Sequence, residues 1–419
     1  MAFSCQTINQ TKLYLVPMSG TKTVTILVLA PVGSRYETKA TSGLSHFIEH
    51  LMFKGTKRRP TTLVLTREID RLGAEYNAFT SKEYTGYYIK TAQQHLDLAL
   101  DILSDMLYHS RFTPAEMERE KTVIIEELRM YKDNPLLRIE SEFENLFFAP
   151  THPLSWDIGG VEKTVRQLTR PQVMAYYQQF YRPDNFTIVI AGHISAEAKK
   201  LVEKYFSPAK EKKSPVGFSP AVLGPTEKEK RQRIVRMCTD QVQLMVGYPS
   251  FAYADERNIV LGVLNTILGG SMSSRLFIKI RERLGLAYMV RADQESFHDA
   301  GYSAIRVGLE AKNIPRALTV IQQELKNLKK KGVTARELQD AKTHLRGHLV
   351  LSLEDSSSQA SWYGLQDIYR VRIKTPEEKI KELEQITNRQ LQEIAQEVFQ
   401  EKNQRLALVG AVGDQKLIT

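Results

Sequence analysis

A chain of 419 residues, 42% hydrophobic and 25% charged, has the composition of a globular protein and is too long for one ordinary core, so two domains are expected. No apolar stretch approaches about 18 residues and residues 1–12 lack an apolar signal core, which argues against a membrane span or a signal peptide. The two cysteines, Cys5 and Cys238, have no C-x-x-C spacing. They fit a reducing compartment, and we expect a cytoplasmic protein without a disulfide framework or a cysteine metal site.

The predicted elements alternate between strands and helices. Strands are expected at 11–17, 24–32, 84–90 and 186–191, and helices from about 41 and at 61–72, 94–108, 114–131, 137–148, 170–180 and 196–205. Four prolines then fall within 208–225, which is typical of an interdomain linker. The pattern predicts a first domain at 1–207, a linker at 208–231 and a second domain at 232–419.

The second half repeats the first. Residues 98–121 are echoed by 316–342, residues 70–76 by 282–288, and the strand at 186–192 by 405–410. Such a duplication predicts an α+β fold of two related domains, each a mostly antiparallel sheet packed with helices.

The net charge is +10, from 58 basic and 48 acidic residues. Part of it lies in runs at 54–59, 210–213, 228–233 and 326–331. Runs of this kind are mostly solvated faces or linker. They lack interleaved aromatic residues, so no nucleic-acid partner is expected, while a basic wall that favours acidic peptides stays open.

The most informative motif is H-x-x-E-H at 46–50. On a helix, His46 and His50 lie one turn apart on the same face, where two imidazoles can bind one zinc ion. Glu49 points to the same side, and Ser42 or Ser45 is expected to cap the start of the helix.

A third ligand is needed, and the helix at 114–131 offers it. Glu120 and Glu127 are seven residues apart and share a face, and Glu126 competes with Glu127 for the role. H-x-x-E-H followed some 75 residues later by E-x-x-V-I-x-x-E resembles the pitrilysin/insulinase family of zinc peptidases, of the two-domain, processing-peptidase-like bacterial type.

The resemblance implies a role for each matching residue. It makes His46, His50 and Glu127 the ligands of one Zn²⁺ per chain, with Glu49 as the general base and Glu120 as a carboxylate behind the ligands. Asn77 and Ala78, with Thr80, resemble the family's edge strand that pairs with an extended peptide. Arg281 and Tyr288, an R-x6-Y pair, resemble the residues that reach the substrate near the scissile bond.

The second half offers no matching ligands. The segment 260–265 opposite the zinc motif is apolar, and Ala341 and His348 stand opposite Glu120 and Glu127. His344 and His348 are one turn apart but have no base or third ligand, so we interpret them as structural or surface residues.

The family also implies an assembly. Its members enclose the active site in a clamshell chamber of two halves, and a chain of this length supplies one half. We therefore expect a homodimeric endopeptidase that acts on peptides or unfolded segments. Two alternatives stay open: a processing peptidase subunit with a dedicated partner, and a non-catalytic family scaffold.

Overall fold

The computed structural model describes residues 3–206, 217–227 and 230–413, which form two compact units. The first unit comprises Met1–Leu128, Asp157–Ser219 and Ser352–Ile373, and the second comprises Arg129–Trp156, Pro220–Leu351 and Lys374–Thr419. Each unit thus contains segments from both halves of the sequence.

The strands are β1 Ser4–Ile8, β2 Thr11–Pro17, β3 Thr23–Ala30, β4 Glu75–Thr80, β5 Thr85–Ala92, β6 Thr187–Gly192, β7 Gln232–Arg236, β8 Val242–Pro249, β9 Ala287–Ser296, β10 Gly301–Leu309 and β11 Arg405–Gly410. The helices are α1 Leu44–Leu51, α2 Thr62–Asp70, α3 Leu96–His109, α4 Pro114–Asp133, α5 Pro135–Phe147, α6 Glu162–Gln167, α7 Arg170–Phe180, α8 Ala198–Tyr205, α9 Asn258–Asn265, α10 Ile314–Lys331, α11 Ala335–Ser352, α12 Ser356–Ile368, α13 Pro376–Gln385 and α14 Asn388–Val398. The elements expected in the first half are confirmed within a few residues at each end.

The first unit is a six-stranded sheet with helices on both faces. Its strand order is β1-β2-β6-β3-β5-β4, and every pair is antiparallel except β2 with β6. One face packs on α1, α3, α7 and α8 around a core that includes Ile26, Phe47 and Leu103. The other face packs on α12, where Leu27 and Leu29 meet Tyr363. Strand β4 is an edge of this sheet.

The second unit repeats this plan with five strands. Its order is β7-β11-β8-β10-β9, with β7 and β11 parallel and the other pairs antiparallel. One face packs on α9, α10 and α14, and the other on α5, where Phe143 and Phe147 meet Met245. Two π-helical segments, Thr266–Gly270 and Phe277–Arg283, follow α9.

The expected duplication is confirmed in the sheet topology. Strands β2, β6, β3, β5 and β4 take the same places in the first sheet as β7, β11, β8, β10 and β9 in the second. The equivalent helices α5 and α12 are exchanged, however: α5 precedes the linker but belongs to the second unit, and α12 comes from the second half but belongs to the first.

The expected boundaries at 207 and 232 therefore differ from the compact units, which are discontinuous in sequence. The sequence repeat cannot predict an exchange of equivalent helices between units, because each helix keeps its place in the order of elements along the chain. Of the linker expected at 208–231, residues 208–216 and 228–229 lie outside the described residues. Among the helices described, none is both long and apolar enough to cross a membrane.

Candidate metal centre

The two histidines of the H-x-x-E-H motif lie on α1. Leu44, Phe47, Ile48 and Leu51 are buried in the core of the first unit and fix which face of this helix is turned inward. His46 and His50 are only partly buried, and their rings lie 4.5 Å apart between centroids. The helix thus presents both imidazoles side by side.

The start of α1 is held by a carboxylate and not by a serine. Glu37 accepts hydrogen bonds from the backbone N–H groups of Gly43 and Ser45, each at 2.7 Å, and Gly43 adopts φ 94° at the N-cap. The expectation that Ser42 or Ser45 caps the helix is therefore wrong. The Ser45 hydroxyl hydrogen-bonds Tyr176 instead, and the Glu37 side chain takes over the capping role.

Three potential ligand atoms lie together at this site. Nε2 of His46 is 3.2 Å from Nε2 of His50, and the two nitrogens lie 3.7 and 3.5 Å from Oε2 of Glu127. Ligand atoms about 2.0–2.1 Å from a tetrahedral zinc ion stand about 3.3 Å from one another. These three residues therefore fit a zinc ion, and their atoms form the one such group found among the described residues.

The choice between Glu126 and Glu127 follows from their positions on α4. Glu127 is partly buried and faces the histidines, while Glu126 is exposed and does not belong to the group. The seven-residue step from Glu120 to Glu127 keeps both carboxylates on one side of the helix. The preference for Glu127 as the third ligand agrees with this geometry.

Glu120 lies behind the ligands and contacts one of them. Its Oε1 is 2.8 Å from Nδ1 of His50, and its Oε2 accepts from Nζ of Lys54 at 2.7 Å. Burial alone would raise the pKa of Glu120, but the hydrogen bonds from His50 and Lys54 outweigh it, so the pKa lies below its usual range. An ionised Glu120 holds the His50 tautomer whose Nε2 is free to bind a metal.

His46 has no such support. Its Nδ1 is buried without a hydrogen-bond partner among the described residues. Burial, followed by the nearby His50, lowers the pKa of His46 to about 4. The imidazole is therefore neutral near pH 7, which is the form that binds a metal.

Glu49 lies beside the three-residue group without belonging to it. Its carboxylate accepts a hydrogen bond from the hydroxyl of Thr80 on β4. Burial raises the pKa of Glu49, and the Thr80 bond offsets only part of that effect. The pKa of Glu127 is also raised, mainly by burial. The interaction with His50 lowers it, while Asp157 and Glu120 raise it further.

The expected substrate-binding strand is β4. Asn77 and Ala78 pair with Tyr88 and Tyr87 of β5, and the opposite side of β4 has no neighbouring strand among those described. The Ala78 N–H donates to the side-chain oxygen of Asn77 at 2.9 Å. The edge is thus available for pairing, with one of its N–H groups covered by a side chain.

Arg281 and Tyr288 belong to the second unit, whereas the histidines and glutamates of the metal centre belong to the first. Arg281 is at the end of a π-helical segment, with its guanidinium 4.7 Å from the Phe277 ring centroid. Tyr288 is on the edge strand β9, and both side chains are substantially exposed.

Among the described residues, the second half brings together no group of potential metal ligands. Helix α9, the counterpart of α1, carries Val260 and Leu264 in the core and no histidine. His344 and His348 are exposed on α11 with ring centroids 5.9 Å apart, and no third ligand joins them in the part of the chain described.

The sequence alone missed the supporting roles of Lys54 and Glu37, and it placed Thr80 on the substrate-binding strand without its contact to Glu49. Lys54 belongs to the basic run at 54–59, which was expected to be a solvated face, but it pairs with Glu120. Arg59 of the same run is buried against Asp101 and Asp105, so the expectation of a solvated face is wrong for this run. Glu37 and Thr80 act through contacts that no spacing rule reveals. Only the role of Lys54 had a usable signal in the sequence, namely a basic residue just after the helix that carries the two histidines.

The chain has two related α+β units, and one of them groups two histidines and a glutamate around the inverted H-x-x-E-H motif. This is the arrangement of an insulinase-like protein. Residues 14–150 match the family model described as insulinase (peptidase family M16), and residues 167–345 match the model described as peptidase M16 inactive domain. The chain belongs to peptidase family M16.

Relatives of similar length support this assignment. The chain is 36% identical to the uncharacterized zinc protease YmxG of Bacillus subtilis over 98% of both chains. It is 31% identical to the uncharacterized zinc protease SCO5738 of Streptomyces coelicolor, covering 94% of this chain and 86% of the relative.

Solved structures show the same fold. A protease from Helicobacter pylori superposes with a TM-score of 0.90 at 22% identity, covering 98% of this chain and 99% of that one. A peptidase M16 inactive domain from Pseudomonas fluorescens gives 0.89 at 18% identity, covering 99% and 100%.

Proposed function

We propose that this chain is a zinc-dependent endopeptidase that hydrolyses peptides or unfolded segments. The observation that supports it is that three ligand atoms are spaced like three corners of a tetrahedral zinc site, with a separate glutamate, Glu49, beside them. A scaffold that had lost catalysis would not need both a complete ligand set and a free carboxylate.

His46, His50 and Glu127 would hold the zinc ion. When bound, zinc supplies a Lewis acid that polarises a carbonyl group and lowers the pKa of water. Two imidazoles and one carboxylate would balance only part of the charge of a divalent ion, and three is the number of protein ligands that catalytic zinc sites use. The ion pair of Glu120 with Lys54 keeps the His50 ring in place.

Glu49 is the proposed general base. It takes a proton from the attacking water while the water oxygen bonds to the carbonyl carbon, and it passes that proton to the amine nitrogen as the peptide C–N bond breaks. The raised pKa that burial gives Glu49 suits a group that must both accept and release a proton. The Thr80 hydroxyl restrains the carboxylate from the side of β4.

The edge strand β4 is the proposed substrate-binding element. An extended peptide would add as a further strand, hydrogen-bonded through main-chain groups near Asn77 and Ala78. Recognition through the main chain gives little side-chain selectivity, which suits a peptidase that acts on many sequences.

Two copies of the chain are proposed to form the active enzyme. Arg281 and Tyr288 of one copy would serve the zinc site of the other, with Tyr288 donating a hydrogen bond to the carbonyl oxygen of the substrate. A chamber of two identical halves would admit peptides and exclude folded proteins.

Digestion of a mixed peptide library, followed by mass spectrometry, tests the proposed activity. The zinc-loaded protein should cleave internal bonds, and a chelator should abolish cleavage until zinc is restored. Glu49→Gln should retain zinc but lose several orders of magnitude in turnover. Near-normal turnover by this variant would contradict the mechanism, and zinc binding without any hydrolysis by the wild type would favour a scaffold.

The alternative of a processing peptidase subunit is tested by the size and subunit composition of the purified protein. Purification of the chain as a homodimer that digests the library supports the proposal. Activity that appears only with a co-purifying second chain would favour a dedicated partner.

A further inference from the structure

Tyr288 adopts a position that depends on a glycine. Its ring lies across β10 over Gly308: a Cβ built on Gly308 would stand 2.4 Å from Cε1, 2.5 Å from Cζ and 2.6 Å from the hydroxyl oxygen of Tyr288. Cβ atoms essentially never approach another heavy atom so closely. Only glycine at 308 lets the phenol cross the strand.

Beyond Gly308, the Tyr288 hydroxyl meets Gln243. Gln243 lies on β8 opposite Gly308 in the strand register, and its Nε2 donates to the Tyr288 hydroxyl oxygen at 2.8 Å. The Gln243 side chain belongs to a residue only 3% exposed, and its Oε1 is buried with no hydrogen-bond partner among the described residues. A buried amide with one bond is unfavourable compared with an apolar residue, so packing alone does not explain a glutamine here.

We propose that Gln243 is a positioning residue for Tyr288, an inference that rests on the proposed peptidase function. By donating to the phenol oxygen, Gln243 takes up one of its lone pairs and leaves the Tyr288 proton to point away from the sheet. Gly308 completes the arrangement because its missing side chain leaves room for the Tyr288 ring across β10. Tyr288 is thereby prepared to donate to a peptide carbonyl without first reorienting its hydroxyl.

A double-mutant cycle tests this role. Tyr288→Phe removes the donor and should lower kcat by about a hundredfold, the scale of losing one oxyanion donor. Gln243→Leu should lower kcat by about tenfold with KM unchanged, because the hydroxyl loses its fixed orientation. In the Tyr288→Phe background, Gln243→Leu should change kcat by less than about twofold.

Gly308→Ala provides a second variant that leaves Gln243 intact. The added methyl group displaces the phenol, so kcat should fall in the wild-type background and change little after Tyr288→Phe. Zinc content and thermal melting are measured for each variant to confirm folding. Gln243→Leu that slows both backgrounds equally would show a merely structural role, and Gln243→Leu with wild-type kcat would show that Tyr288 needs no positioning.

A spectroscopic readout separates this inference from the proposed function. With 3-fluorotyrosine incorporated, the ¹⁹F resonance of Tyr288 is assigned by its loss in Tyr288→Phe. Gln243→Leu should shift that resonance and leave the other tyrosines unchanged, even in a protein without peptidase activity; an unchanged Tyr288 resonance would overturn the contact. If the wild type has no peptidase activity but Gln243→Leu still shifts the Tyr288 resonance, the peptidase proposal is refuted and the contact between Gln243 and Tyr288 is not.

Discussion

Replacement of Glu120 by glutamine is expected to weaken zinc binding sharply although Glu120 is not a ligand. Its two oxygens are both used, by Nδ1 of His50 at 2.8 Å and by Nζ of Lys54 at 2.7 Å. Glutamine offers one oxygen and one NH₂ group, so either the imidazole or the ammonium must face a donor. The side chain is 4% exposed, so water cannot relieve the mismatch.

The size of the effect follows from this geometry. Loss of a partner that orients a ligating histidine typically costs about 10- to 100-fold in metal affinity. That range corresponds to about 1.4–2.8 kcal/mol in binding free energy. We expect Glu120→Gln to fall within it, because the substitution also removes the negative charge nearest the His50 ring.

Competition with a chromophoric chelator at fixed pH and salt measures the zinc affinity. Glu118→Gln on the same helix is the matched control. The Glu118 side chain is 73% exposed and pairs with Lys121, so the zinc affinity of this variant should stay within about twofold of wild type. Adding Lys54→Met to Glu120→Gln should recover part of the loss, since the amide then no longer faces an ammonium. Wild-type affinity in Glu120→Gln, or an equal loss in Glu118→Gln, would refute the reasoning.

Two further results are expected. Glu127→Gln should lose zinc occupancy by elemental analysis while Glu126→Gln keeps it, and the reverse outcome would move the ligand by one residue. Mixing the inactive variants Glu49→Gln and Arg281→Ala should restore about a quarter of wild-type activity: random exchange makes half of the dimers mixed, and one of the two sites in each is then intact. No recovery on mixing, with subunit exchange demonstrated, would place both residues in the same chain's site.

The sequence predicts best what depends on local spacing. His46 and His50 are one helical turn apart, and Glu127 shares a face with Glu120, so four residues of the site follow from the helical period. The repeat likewise predicts that the two halves form related sheets, and the two sheets do share one strand order.

What the sequence does not predict depends on contacts between distant segments. Glu37 replaces the expected serine cap because the chain before α1 folds back onto its N-terminus. Gln243 reaches Tyr288 across an intervening strand, which requires the register of three strands and a glycine in the middle one. Neither relation leaves a period or a motif in the sequence.

The exchange of α5 and α12 has a consequence for how this protein is made. As the chain leaves the ribosome, the strands of the first sheet are complete after β6, yet the helix that covers the apolar face of Leu27, Leu29 and Val189 is synthesised more than a hundred residues later, at Ser356–Ile368. The nascent first half must therefore carry an uncovered sheet face while residues 193–355 are synthesised, a state prone to aggregation. For the same reason, neither half of the gene encodes an autonomous folding unit, and cutting the chain at the linker would leave each sheet without its covering helix.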